Sequence, residues 1–127
     1  MHYFLIGMLG LLISLTSCAP ATIPNHDDHT KLDLVGAATT WTVTVSPTTQ
    51  LKEVVLMVRA KGIAMSEQTG WDSCAVTKER FVECDAASLE PDKPVIVKVT
   101  GNVTASLLTA EEVGGKLVIL SVEPPKP

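Results

Sequence analysis

An all-β sandwich of seven or eight short strands is the fold this sequence predicts, and three observations carry that expectation. Residues 18–127 hold 15 Val and 13 Thr, stiff β-branched side chains that suit a pleated surface. Apolar residues recur with period two in several short runs. Turn residues separate those runs at the spacing of a two-layer sandwich. The whole chain has 127 residues, which allows one domain.

The strands are expected in the following order. Lys31-Leu32-Asp33-Leu34-Val35 alternates and stops at Gly36. Trp41, Val43 and Val45 share one face of a second strand, with threonines on the other, and Ser46-Pro47 is expected to break it. Val54 to Val58 is apolar throughout, as in a strand buried on both sides. A loop from Lys61 to Gly70 is expected next, then strands at Trp71–Val76 and Phe81–Cys84. Pro91-Asp92-Lys93-Pro94 reads as a turn, because proline presets φ at its corner. Val95, Val97 and Val99 alternate, and runs at Val103–Leu108 and Leu117–Val122 follow. Ser106 to Gly114 reads either as a short helical turn with a glycine cap or as a strand entering a long turn. The β-branched neighbours favour the strand.

Upstream of the domain, Tyr3 to Leu15 is an uncharged run of thirteen residues. It is too short to cross a bilayer as a helix and suits the apolar core of a secretory signal. Leu15-Thr16-Ser17-Cys18 resembles the lipobox of bacterial lipoproteins. That resemblance implies a signal peptide over 1–17, cleavage before Cys18, and a diacylglyceryl group on its sulfur. The chain would then be anchored to a membrane without spanning it. The other reading is a plain N-terminal anchor with an unmodified Cys18. Ala19 stands where such lipoproteins often carry an Asp that retains them at an inner membrane. The resemblance therefore favours the outer membrane in a host with two.

Residues 18–30 contain Pro20, Pro24 and no apolar period, and read as a flexible tether. Fully extended, it would hold the domain up to ~40 Å from the bilayer. His26, Asp27, Asp28 and His29 lie in it, but a flexible segment does not fix metal ligands, so no metal site is expected. The domain is expected over 31–122 and a Pro-rich tail over 123–127.

With Cys18 lipidated, Cys74 and Cys84 remain. Folding the chain about Glu79 sets Cys74 opposite Cys84 and Val76 opposite Val82, with Lys78-Glu79-Arg80 at the tip. Matching parity makes a cross-strand disulfide reasonable, and an exported setting favours it. Free thiols or an active dithiol are the other readings, although nine intervening residues do not make a C-x-x-C motif.

Gly70-Trp71-Asp72-Ser73-Cys74, Phe81-Val82-Glu83-Cys84, Leu89-Glu90-Pro91-Asp92-Lys93 and Val95 to Val99 together resemble the immunoglobulin-like "conserved repeat" domains of bacterial surface proteins. Thr40 to Val45 resembles their opening strand. The likeness covers roughly residues 31 to 108. It implies an immunoglobulin-like β-sandwich with an adhesive or spacer role and transfers no catalytic residues.

Charge and chemistry exclude several functions. Ten Lys and Arg against 14 Asp and Glu give a net charge of −4, which argues against a nucleic-acid partner. Nucleophile–base pairs need a histidine in a folded site, yet His26 and His29 fall in the expected tether. Glu111 and Glu112 are adjacent on a strand and point to opposite faces. Asp72 beside Trp71 reads as a loop residue. No enzyme, cofactor or small-molecule substrate is therefore expected. The expectation is an envelope structural or assembly lipoprotein with a protein partner, or alternatively a ligand-binding or inhibitory one acting on a hydrolase or in phage exclusion. The contact residues expected are Ile63, Met65, Trp71 and Arg80, on the presumed loop and hairpin. The other reading tucks Ile63 and Met65 under the loop, and makes Trp71 a core plug.

Overall fold

A computed structural model describes residues 21–78 and 80–124. The expected signal peptide, Cys18 and the last three residues lie outside them, as does Glu79. The described residues are all-β: β1 (Ala21–His26), β2 (Thr30–Ala37), β3 (Thr40–Pro47), β4 (Leu51–Thr69), β5 (Ser73–Thr77), β6 (Phe81–Leu89), β7 (Val95–Glu112) and β8 (Leu117–Val122). Every pairing is antiparallel. Eight strands and a hairpin disulfide agree with the expected β-sandwich.

Two long strands build both layers. The last part of β4 and the first part of β7 pair with each other, and β3, β2 and β1 follow outward in that order. Beyond a bend, the first part of β4 and the last part of β7 pair again, now flanked by β6 and β5 on one side and β8 on the other. Leu32, Leu34, Trp41, Val43, Val45, Val97 and Val99 line the inner face of the first layer. Val54, Leu56, Val58, Val82, Cys84, Leu108 and Leu120 line that of the second. Each such side chain contributes about 1.5–3 kcal/mol when fully buried.

The bend is made by bulges. On β4 the buried positions are Val54, Leu56, Val58 and Ala60, and then Ile63, a change of parity. Gly62, at φ 62°, supplies the extra residue where the register shifts between Lys61 and Ala64. On β7 the buried positions change from Val95, Val97, Val99 and Val103 to Ser106, Leu108 and Ala110. A one-residue slip reverses a strand's faces, so each bulge returns the apolar set to the interior after the corner. Gly101 sits in the corner at φ 138°, and a Cβ there would come 3.0 Å from the Ile63 Cα.

Two expectations are corrected. Lys61–Thr69 is not a loop: it continues β4 and pairs with β7, because the Gly62 bulge lets the strand resume. Residues 21–30 are not a tether. Ala21–His26 is a strand paired with β2, and Pro24 is accommodated because β1 is the outermost strand of its layer. Asp27 closes the β1–β2 turn by accepting from the backbone N–H groups of His29 and Thr30, at 2.9 and 2.8 Å. Ser106–Glu112 is strand, as preferred. β3 continues through Ser46 and ends at Pro47, whose carbonyl accepts from the Asp92 N–H.

Candidate interaction site

The four expected contact residues do not form one surface. Ile63 and Trp71 are buried, 6% and 5% exposed, and Met65 packs against the core. Ile63 and Met65 follow from the continuation of β4 past Gly62, which turns alternate residues inward. Trp71 lies just after that strand, its backbone N–H donating to Gln68 Oε1 at 3.1 Å. Ile63 and Trp71 are core and Met65 is half-buried against it, so the reading that tucks Ile63 and Met65 inward and makes Trp71 a core plug describes them. Arg80 alone is exposed.

Two surfaces stand out instead. The first is apolar, on the outer face of the second layer. Met57 on β4 lies opposite Leu107 on β7, and Val55 lies opposite Thr109. Leu107 is opposite Ser121 on β8, which sets Ile119 on the diagonal. Leu117 and Ile119 are 66% and 64% exposed, and Val113 beside them is exposed too. Glu83 and Asp85 of β6 bound this stripe, being opposite Met57 and Val55. The sequence carries the signal, since Leu117-Val118-Ile119-Leu120 is apolar on both faces while its sheet has one interior.

The second surface is an open cleft of about 900 Å³ at the bend. Arg59, Lys61, Lys78 and Arg80 line it with Thr104 and one carboxylate, Glu123. Arg59 and Lys61 alternate on the exposed side of β4, whereas Lys78 and Arg80 lie in the turn between β5 and β6. The β4–β6 register brings the pairs together, with Arg59 opposite Phe81 and the Arg80 carbonyl accepting from Ala60 N–H at 2.9 Å.

The hairpin that presents Lys78 and Arg80 has the expected register. Cys74 pairs with Cys84, Val76 with Val82, and the two cysteines form a disulfide. Asp72 serves this hairpin: its N–H donates to the Asp85 carbonyl, and its carboxylate accepts from Ala87 N–H at 2.8 Å. His29 is in the folded domain, contrary to expectation, with Nδ1 3.2 Å from Glu112 Oε2. Asp28 pairs with Lys116 at 3.9 Å nearby. Among the described residues no three His, Cys, Asp or Glu side chains converge as a metal-ligand set.

No protein family model and no curated protein matches the chain. Among solved structures it is similar to a GH20 exo-β-N-acetylglucosaminidase from Vibrio harveyi in complex with N-acetylglucosamine, at 8% identity and a TM-score of 0.42. An inactive mutant of that enzyme matches equally. The match covers 80% of this chain and 16% of the enzyme chain.

Proposed function

We propose that this chain is a lipid-anchored protein of the bacterial cell envelope whose β-sandwich is a non-catalytic protein-interaction or assembly module. The lipobox-like Leu15 to Cys18 supports the anchor, and Ala19 favours the outer membrane where a host has two. The observation that carries the interaction reading is the apolar stripe on β4, β7 and β8. Exposed, contiguous apolar surface of this kind marks protein contacts, and the flanking Glu83 and Asp85 give it a polar rim.

The experiment is in-cell cross-linking and fractionation. The wild-type chain should sediment with membranes and give a discrete cross-linked complex from a photoreactive residue at Leu117. Ile119→Glu should abolish the complex and leave the domain folded. Cys18→Ser should lose acylation. An unchanged cross-link with Ile119→Glu would refute the interaction surface, and an unmodified wild-type Cys18 would refute the anchor.

A further inference from the structure

We propose that the cationic cleft at the bend is a docking surface for anionic lipid headgroups, and that it seats the domain on the bilayer that holds its anchor. This rests on the lipid-anchor reading above. Charge distribution is the first argument. The chain carries a net −4, yet four of its ten Lys and Arg line this one cleft. Lys31, Lys98 and Lys116 elsewhere are each within 4 Å of a carboxylate. Among the described residues that line the cleft, Glu123 is the one carboxylate against four cations. A field of one sign in a concave surface attracts the opposite charge.

The position of the first strand is the second argument. Ala21 is opposite Gly36, Gly36 is opposite Trp41, and Trp41 is opposite Val99. Three strand spacings, about 15 Å, thus separate Ala21 from β7 just before its corner. Gly101 in that corner donates to the Thr39 carbonyl at 2.9 Å, and a Cβ on it would lie 3.2 Å from the carbonyls of Lys61 and Gly62. The chain therefore enters the domain at the end that bears the cleft. Only three residue steps separate Cys18 from Ala21, a reach of at most about 10 Å. That reach is comparable to the Debye length, so the end of the domain at which the chain enters is held where a charged bilayer acts on it.

The test uses the full protein extracted from its membrane and reconstituted into vesicles of phosphatidylcholine alone or with phosphatidylglycerol. Amine labelling is followed by peptide mass spectrometry at Lys61 and Lys78, with Lys116 at the far end of β7 as control. In the anionic vesicles Lys61 and Lys78 should label several-fold more slowly than in the neutral ones, Lys116 should not change, and high salt should remove the protection. Arg59→Gln with Arg80→Gln should weaken that protection, by about fivefold per cation removed. Equal labelling in the two vesicle types, or protection unaffected by the double variant, would overturn the inference. The same digests give the N-terminal mass, so failure of the anchor is read separately from failure of the cleft.

Discussion

His29 Nδ1 lies 3.2 Å from Oε2 of Glu112, whose side chain is 9% exposed, and this contact ties the β1–β2 turn to the far end of β7. An N–H at Nδ1 donates to the carboxylate. Asn25 Nδ2 adds a second tie across the same edge, donating to the Ser121 carbonyl on β8 at 2.9 Å. Together they add side-chain ties between the first hairpin and β7–β8 to the backbone pairing of β1 with β2 that makes residues 21–26 part of the domain.

His29→Ala should therefore cost about 1 kcal/mol by leaving a nearly buried carboxylate without its partner. Urea denaturation checks this. A midpoint equal to wild type would show that the contact adds nothing to the closure.

Reduction, or replacement of Cys74 and Cys84 by alanine, should lower stability by a little under ~3 kcal/mol, the chain-entropy value for so short a loop. Non-reducing peptide mapping should recover the two cysteines in one linked species. Two alkylatable thiols in the native protein would contradict the hairpin as described.

Gly101→Ala should destabilise by about 1–3 kcal/mol, since its φ of 138° is strained for any other residue and a Cβ would crowd β4 backbone. Gly114→Ala is the matched control. Its φ is also positive, at 109°, but a Cβ there meets nothing within 4 Å, so the difference in thermal midpoint isolates the crowding.

The strands that were legible in the sequence are those with unbroken alternation. Trp41 to Val45 and Val95 to Val99 declare a face because each has one side in the core. The Cys74–Cys84 register was legible because parity alone sets it. Lys61 to Thr69 was not, because the Gly62 bulge resets the parity and the polar residues after it face outward. Ala21 to His26 was hidden by Pro24 and by its place at the edge, where one face alternates only half-buried with exposed. The two cationic pairs were visible separately, but nothing local says that residues 59 and 80 meet. That follows from the β4–β6 register.

Core and surface should separate cleanly in a stability scan. Ile63→Ala should cost about 2–5 kcal/mol and Trp71→Ala about 3–5 kcal/mol, as buried large side chains do. Arg80→Ala and Ile119→Glu should stay within about 0.5 kcal/mol of wild type. Thermal melts of the four variants suffice, and a destabilised Arg80→Ala would mean that the cleft is a structural element.

The central claim is that Cys18 anchors the sandwich to a membrane, and the mass of the mature N-terminal peptide tests it most directly. Protein extracted from the membrane fraction of expressing bacteria and digested should yield a peptide that begins at Cys18 and carries a diacylglyceryl mass. A membrane-bound protein that still begins at Met1, or a mature Cys18 with a free thiol, would contradict it.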